Sequence, residues 1–280
     1  MRSIQAPTMR FKLSPGLAVA LVFATVRLSA VDIIAHRGAS FDAPENTIAA
    51  QQLAWEQQAD AVETDVQLTK DCQIIVIHDY NYCRTTGHDA PVTGLTLDEA
   101  RALDAGSWKD PKYAGEKLPT LDEQFARIPE GKRILVEIKV GPELVPELVR
   151  TLERSGLDQR KLTVISFQMD ALQAVREQLP RLPTLYLVSY RAPDPKYPSA
   201  KKQLTLDEVI AQATSAGLTG LDLQAKWPLT PKDVKKIKAA GLQLHVWTID
   251  DVAVAKHWIK LGVDSITTNR PAFLRQNLGL

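Results

Sequence analysis

The sequence has little of three things that mark special classes of protein. Only two of its 280 residues are cysteines, Cys72 and Cys83, which excludes a disulfide-dense scaffold and a cysteine-rich zinc site. The 34 basic and 33 acidic residues nearly cancel, so a net charge of +1 provides no overall field to gather nucleic acid or an anionic membrane. The chain also lacks internal repeats and low-complexity tracts. Any recognition of an anion must therefore be local.

A long apolar run is also missing, and the start of the chain shows why this matters. Arg10 and Lys12 precede an apolar run over residues 17–26, and small residues follow it. That order predicts a cleaved signal peptide over residues 1–30, and hence an exported protein, periplasmic or secreted. The run has roughly ten residues, whereas a helix needs ~20 to cross a bilayer, so we expect no stable membrane span in the mature chain.

Two states are open to Cys72 and Cys83. In an oxidising compartment outside the cytoplasm the two thiols could form a disulfide. The sequence places one cysteine on each side of a short apolar strand, and we favour two half-buried free thiols.

Short β-rich apolar runs alternate with segments of helical period after the leader, which is typical of βα units around a parallel sheet. We predict nine strands, at residues 32–35, 61–67, 74–78, 134–138, 162–166, 184–188, 221–224, 242–247 and 265–267. A tight polar turn separates the second strand from the third, so the third is interpreted as a hairpin strand beside the second. Eight strands remain. The fold prediction is a single (β/α)8 TIM barrel over residues 31–280.

Two further segments stand out between the predicted strands. Residues 81–117 are rich in Gly, Thr, Asp and Pro and are too long for a simple βα loop, so we predict an insertion after the second barrel strand. Insertions of this size near strand ends are more often functional than decorative. Asn46 precedes the first predicted helix and is interpreted as a helix cap rather than a ligand.

Ionisable residues concentrate at the ends of four predicted strands, where an α/β barrel places its active site. They are His36, Arg37, Glu63, Asp65, His78, Glu137 and Lys139. Residues two apart on a strand point to the same side, so Glu63 with Asp65, and Glu137 with Lys139, are predicted to share one side of the barrel wall.

The three carboxylates predict a metal site, because like charges can be buried together only with a compensating cation. Glu63, Asp65 and Glu137 offer oxygen ligands, which suit one hard divalent cation, Mg²⁺ or Ca²⁺. A plainer alternative remains for each, since single acidic residues on strands often form ion pairs with a neighbouring Lys or Arg.

The remaining residues of this set suit a phosphate ester. Arg37 could bind a phosphoryl group through bidentate hydrogen bonds, and Lys139 could bind it as a point charge. His36 and His78 could supply a base and an acid near neutral pH. A metal, a phosphate clamp and two proton carriers together predict cleavage of a phosphodiester.

A series of short motifs resembles the signature of the glycerophosphodiester phosphodiesterase family. The series is His36-Arg37-Gly38, Pro44-Glu45-Asn46-Thr47, Glu63-Thr64-Asp65-Val66, His78-Asp79, Arg84-Thr85-Thr86-Gly87, Leu103-Asp104-Ala105-Gly106-Ser107-Trp108, Pro119-Thr120-Leu121, Glu137-Ile138-Lys139, Val246-Trp247-Thr248 and Thr268-Asn269-Arg270-Pro271. The motifs follow the family's order over nearly all of the chain after the leader. One departure, Tyr80-Asn81-Tyr82-Cys83, leaves the head group of the substrate open.

The resemblance implies a metal-dependent enzyme that hydrolyses small-molecule glycerophosphodiesters to sn-glycerol 3-phosphate and an alcohol. It implies that Glu63, Asp65 and Glu137 are metal ligands, and that His36 is a base and His78 an acid. It also implies phosphate contacts at Arg37 and Lys139 and a substrate contact at Trp247. The insertion at residues 81–117 resembles the family's insert over the alcohol side of the substrate. Two alternatives stay open: a lysophospholipase D or phosphosphingolipid-cleaving activity at the same site, and a non-catalytic barrel that binds phosphodiesters. The oligomeric state is also open.

Overall fold

The structure, a computed structural model, describes residues 31–191 and 203–280. Nine strands occur in these ranges: β1 Asp32–Ala35, β2 Ala61–Leu68, β3 Ile74–Val76, β4 Arg133–Ile138, β5 Leu162–Ser166, β6 Thr184–Val188, β7 Gly220–Gln224, β8 Gln243–Trp247 and β9 Ser265–Thr268. The α-helices of the same ranges are α1 Ile48–Glu56, α2 Cys83–Thr86, α3 Leu97–Arg101, α4 Leu121–Phe125, α5 Val145–Ser155, α6 Met169–Gln178, α7 Leu206–Ser215, α8 Pro231–Ala239, α9 Val252–Leu261 and α10 Pro271–Leu278. The predicted leader lies outside the described residues.

Eight of these strands close into a parallel barrel. They pair in the order β1-β2-β4-β5-β6-β7-β8-β9, and β1 also pairs with β9, which closes the ring. β3 runs antiparallel to β2, with Val66 opposite Val76, and extends β2 as a hairpin. The predicted (β/α)8 barrel and its hairpin strand are confirmed. The hairpin strand is shorter than expected, since it ends at Val76 and leaves His78 in the loop that follows.

The two faces of the barrel strands bury different sets of apolar side chains, because successive residues of a strand point to opposite faces. The outward face packs against the helices in the main core, for example through Ile33, Val136 and Leu223. The inward face fills the barrel centre with a smaller cluster, formed by Ile34, Ala61, Leu135, Ile165, Leu185 and Leu187. The barrel is therefore a packed core with an open cleft only at the ends of its strands.

Local signals in the sequence set the helix starts. Thr120, Thr205 and Thr230 each accept a hydrogen bond from the backbone three residues later, where an acidic residue completes a capping box. Gly156 and Gly262 end their helices with positive φ angles of 61° and 90°, a conformation that glycine adopts without strain. These caps set the starts of α4, α7 and α8 and the ends of α5 and α9.

The insertion after β3 forms a small subdomain on the hairpin. It contains α2, α3 and two short 3₁₀ turns, and its own apolar cluster includes Tyr82, Val92 and Ala105 together with Ile75 and Ile77 of the hairpin. Burial of this cluster anchors the insertion beside the C-terminal ends of β2 and β4.

The two cysteines differ from the expectation in burial. Both are free thiols, as favoured, but both are exposed rather than half-buried. Cys72 lies in the surface turn between β2 and β3, and Cys83 begins the short surface helix α2. A membrane crossing needs a long apolar helix, and the described part of the chain contains none.

Candidate active site

A single cleft of about 180 Å³ at the C-terminal end of the barrel brings the predicted site residues together. Seven of the eight line it: His36, Arg37, Glu63, His78, Glu137, Lys139 and Trp247. The eighth, Asp65, is fully buried beside Glu63 and Glu137. The convergence follows from the barrel, because β1, β2, β4 and β8 all end at the same mouth.

Three acidic side chains form a compact cluster in this cleft. Glu63, Asp65 and Glu137 are buried, and each offers an oxygen that lies within 4.8 Å of the other two. Parallel pairing places Asp65 of β2 opposite Glu137 of β4. Among the described residues, Glu63 Oε1 and Asp65 Oδ1 are buried and accept no hydrogen bond, although Lys139 Nζ lies 3.4 Å from Asp65 Oδ1. Buried carboxylate oxygens that lack donors fit a hard divalent cation, which could be held by all three residues.

The three carboxyl groups have different proton affinities. Burial, together with repulsion from the neighbouring carboxylates, raises the pKa of Glu63 well above its usual range and that of Glu137 to about 7. Burial also opposes ionisation of Asp65, but Arg37 and Lys139 lower its pKa to about 2. Arg37 and Lys139 therefore compensate the charge of Asp65, and Glu63 and Glu137 can still bind a further cation.

Arg37 is fixed against the carboxylates by an unusual backbone conformation. Its φ of 56° lies in the left-handed region, and its backbone N–H donates to Glu63 Oε2 at 2.9 Å. In the side chain, Nε lies 3.2 Å from Asp65 Oδ2, and Nη1 donates to Glu45 Oε1 at 2.8 Å. The guanidinium is thus held at the edge of the cleft, where it can bind phosphoryl oxygens.

Lys139 follows β4 directly and is held from both ends. Its Nζ donates to Glu137 Oε1 at 2.7 Å and lies 3.4 Å from Asp65 Oδ1. Its backbone carbonyl accepts hydrogen bonds from the Tyr80 hydroxyl at 2.8 Å and from Gln168 Nε2 at 2.9 Å. Burial opposes the charge, but the two carboxylates outweigh it and raise the pKa of Lys139 above its usual range. The ammonium therefore remains available as a positive point charge for a phosphoryl group.

His36 is oriented by an amide whose own direction is fixed. Asn269 Nδ2 donates to Asp250 Oδ2 at 2.6 Å, so Asn269 Oδ1 must be the acceptor that lies 2.7 Å from His36 Nδ1. His36 therefore carries its proton on Nδ1 and leaves Nε2, 4.0 Å from Glu63 Oε2, as a free base. Burial and the nearby Arg37 lower the pKa of His36 to about 4, which keeps the imidazole neutral near pH 7.

His78 is held by a hydrogen bond to Asp79, which continues into a chain of ion pairs through the insertion. Its Nδ1 contacts Asp79 Oδ1 at 2.6 Å, and Asp79 Oδ2 accepts from Arg84 Nε at 2.5 Å. Arg84 of α2 also donates to both carboxylate oxygens of Glu45, at 2.9 and 2.7 Å, and Glu45 in turn contacts Arg37. The insertion is thereby tied both to this histidine and to Arg37 at the edge of the cleft.

The opposite wall of the cleft is mostly apolar. Ile165, Phe167, Leu187 and Trp247 line it. The Trp247 ring meets Phe167 edge to face, with 5.6 Å between ring centroids, and its Nε1 donates to the Asp222 carbonyl at 3.1 Å. The tryptophan is thus fixed in the cleft, where the sequence predicted a substrate contact.

Comparison with known proteins decides the family. The sequence model of the Glycerophosphoryl diester phosphodiesterase family matches residues 36–273. The chain belongs to this family. It is 34% identical to a glycerophosphodiester phosphodiesterase of Caldanaerobacter subterraneus subsp. tengcongensis over 86% of this chain and 95% of the relative, and 32% identical to one of Bacillus subtilis over 85% and 83%. As a member of the glycerophosphodiester phosphodiesterase family, the protein is a phosphoric diester hydrolase.

A solved structure of the family gives the same fold. An Oleispira antarctica phosphodiesterase, solved in complex with the product sn-glycerol 3-phosphate, superposes with a TM-score of 0.78 at 30% identity. The match covers 89% of this chain and 97% of the other. The family resemblance of the sequence motifs is therefore confirmed at the level of both family and fold.

The structure corrects one sequence interpretation and adds residues that the sequence did not single out. The helix-cap prediction for Asn46 is wrong, because the cap of α1 is Thr47, whose side chain accepts from the Ala50 N–H. Asn46 is buried instead, donates from Nδ2 to Asp65 Oδ2 at 2.8 Å and accepts at Oδ1 from the Asp65 N–H at 3.2 Å. It therefore positions Asp65.

Two other residues escaped prediction for different reasons. Asn269 lies in the motif Thr268-Asn269-Arg270-Pro271, but the motif does not predict that its amide contacts His36, 233 residues away in the sequence. Asp222 interrupts the apolar strand β7 and lines the cleft. A lone acidic residue in an apolar strand is the local signal that marks it.

Proposed function

We propose that the protein hydrolyses glycerophosphodiesters to sn-glycerol 3-phosphate and an alcohol, using one divalent cation, Mg²⁺ or Ca²⁺, and two histidines. The observation that carries the proposal is the meeting of three buried carboxylates, two fixed cations and two oriented imidazoles in one cleft. The Oleispira relative, which binds sn-glycerol 3-phosphate, supports the same class of small-molecule ligand for this chain.

Glu63, Asp65 and Glu137 would hold the cation. When bound there, a divalent cation polarises a phosphoryl oxygen and neutralises charge that builds on the phosphate. Arg37 and Lys139 bind the remaining phosphoryl oxygens, the first by directed hydrogen bonds and the second as a point charge.

The two histidines move the protons. His36 Nε2 takes the proton of the glycerol 2-hydroxyl, whose oxygen attacks phosphorus, while His78 donates a proton to the alcohol oxygen as its bond to phosphorus breaks. The product of this step is a cyclic glycerol phosphate, which water then opens to sn-glycerol 3-phosphate. The neutral state of His36 and its free Nε2 favour it as the base.

A second candidate activity, on lysophospholipids or phosphosphingolipids, has one observation in its favour. Exposed aromatic side chains, Phe41, Tyr80, Trp108 and Phe167, occur in the insertion and in loops that follow β1, β3 and β5, at the mouth of the barrel. Large exposed apolar groups of this kind could contact an acyl chain. The polar insertion weighs against this activity.

Substrate choice separates these candidates. The purified protein is assayed with glycerophosphocholine, glycerophosphoethanolamine, glycerophosphoinositol and lysophosphatidylcholine, each with Mg²⁺ and with Ca²⁺. We expect the deacylated diesters to be hydrolysed with the highest kcat/KM. A clear preference for lysophosphatidylcholine would replace the first candidate by the second, and binding without turnover of any substrate would indicate a non-catalytic barrel.

We also propose that the protein is exported, on the basis of the leader pattern in residues 1–30. Protein isolated from its native host should lack about the first thirty residues, because the pattern predicts cleavage near Ala30. Intact-mass measurement gives the answer directly. A mass equal to that of the unprocessed 280-residue chain would contradict the proposal.

The role of Asn46 in holding Asp65 leads to a paired stability and metal prediction. Asn46→Ala leaves the Asp65 N–H and the Thr64 hydroxyl without their acceptor, so the free energy of unfolding should fall by about 1–3 kcal/mol. The affinity for the cation should fall by about 10–100-fold, because ligand orientation depends on such partners.

The matched control is the neighbouring Thr47→Ala, which removes the true cap of α1 but no contact to Asp65. It should cost about 1 kcal/mol of stability and leave metal affinity unchanged. Denaturant melts and metal titrations of both variants make the comparison, and equal metal affinities in the two variants would show that Asn46 does not position Asp65.

A further inference from the structure

Two residues that line the cleft, one on β7 and one on β9, each carry a buried oxygen with no hydrogen-bond partner among the described residues. Asp222 of β7 is 1% exposed and Thr267 of β9 is 2% exposed, and both line the cleft. Asp222 Oδ1 and Thr267 Oγ1 make no hydrogen bond to residues 31–191 or 203–280. In the barrel order β7 lies opposite β2, the strand that carries Glu63 and Asp65.

Strand register places an apolar neighbour beside each residue, Leu187 of β6 beside Asp222 and Ile34 of β1 beside Thr267. Ile165, Leu187 and Trp247 line the cleft with them, and the one polar atom of Trp247 is already bonded to the backbone carbonyl of Asp222. A buried polar group without a partner is costly, so native proteins almost always supply one. Because both residues line the open cleft, a ligand bound there could supply the missing partner.

A hydroxyl group fits the chemistry of this pair. The threonine oxygen both donates and accepts hydrogen bonds, and so does an alcohol. Burial, with a contribution from Glu137, raises the pKa of Asp222 well above its usual range, so that carboxyl group can donate as well as accept. The apolar side chains beside the pair suit the carbon atoms that carry such a hydroxyl.

We propose that Asp222 and Thr267 bind the terminal hydroxyl of the substrate's glycerol and thereby determine specificity for glycerol over diols that lack this hydroxyl. The inference rests on the proposed function. With the phosphate held by Arg37 and Lys139 and the 2-hydroxyl at His36, the terminal carbon of glycerol is the part left to reach across the cleft. The leaving alcohol then points outward, towards the insertion.

Substrate pairs test this assignment. One diester carries glycerol and choline, and its analogue carries propane-1,2-diol and choline, which keeps the 2-hydroxyl but lacks the terminal one. For the wild-type protein, kcat/KM should be about 10–100-fold lower on the analogue, since the analogue leaves buried polar groups unpaired. Asp222→Leu should lower kcat/KM on the glycerol diester by a similar factor. On the analogue, kcat/KM of this variant should stay close to that of the wild-type protein.

Thr267→Val provides a second variant that keeps the shape of the side chain, and it should show the same dependence on the terminal hydroxyl with a smaller loss. Its matched control is Thr184→Val, because the Thr184 hydroxyl is equally buried and unpartnered but lies on β6 away from the cleft. That control should treat both substrates as the wild-type protein does. If Asp222→Leu does not fold, the threonine pair still carries the test.

Three results would overturn the assignment. They are equal kcat/KM of the wild-type protein on the two diesters, equal losses on both diesters in Asp222→Leu, and a Thr267→Val profile that matches Thr184→Val. Failure of the wild-type protein on every glycerophosphodiester would be a different result, because it would remove the proposed function and this inference together.

Discussion

Asp65→Asn and Glu63→Gln should each abolish hydrolysis as completely as chelation of the cation with EDTA. The substitutions keep the shape of the side chains but remove the negative charge that a hard divalent cation requires of its ligands. Metal-assisted stabilisation of the transition state is typically worth several kcal/mol, so kcat should fall at least about a thousandfold. The residual activity of each variant should not respond to added Mg²⁺ or Ca²⁺.

A buried acidic residue outside the cleft provides the control for this prediction. Glu147 on α5 is 5% exposed and pairs with Arg150 and Arg154. Glu147→Gln therefore removes a buried charge without touching the carboxylate cluster, and its activity should remain near that of the wild-type protein. Steady-state kinetics with and without EDTA measure all three variants. Undiminished wild-type turnover in excess EDTA would exclude a metal role for Glu63, Asp65 and Glu137.

His36→Ala and His78→Ala should each lower kcat on a glycerophosphodiester by about 10²–10⁴-fold with a much smaller effect on substrate binding. The double variant should be little worse than the worse single one, because residues that act as a unit do not have additive effects. His257 is exposed on α9 and is not among the residues that line the cleft, and His257→Ala is the control that should retain full activity.

The leaving group separates the two histidines. Nitrophenolate is a good leaving group that departs without help from an acid. A nitrophenyl diester should therefore restore activity to His78→Ala and leave His36→Ala impaired. Rescue of His36→Ala alone would reverse the two roles. Wild-type kcat in both single variants would show that the two-histidine mechanism is wrong.

The fold was predictable because its signals are local and periodic. The alternation of strands and helices predicted eight barrel strands, and the polar turn before Ile74 distinguished the hairpin strand from them. The barrel then explains why residues at strand ends, such as His36 and Glu137, converge at one mouth. The exact strand ends were less accessible, since β3 stops at Val76 once the chain turns towards the insertion.

The contacts that orient the site could not be predicted, because they join residues distant in sequence. Asn46 looks like a helix cap by type and position, and only the closed barrel places it against Asp65. Asn269 meets His36 because β9 closes onto β1. Asp222 belongs to no local motif, and its place in the cleft wall follows from strand register in the closed barrel.

The most direct test of the account is the fate of phosphorus when the purified protein acts on glycerophosphocholine, followed by ³¹P nuclear magnetic resonance with Mg²⁺ or Ca²⁺ and again with excess EDTA. The account predicts sn-glycerol 3-phosphate, preceded by a cyclic glycerol phosphate, in the presence of the cation, and unchanged substrate in EDTA. Phosphocholine as the product, or hydrolysis at the same rate in EDTA, would contradict it.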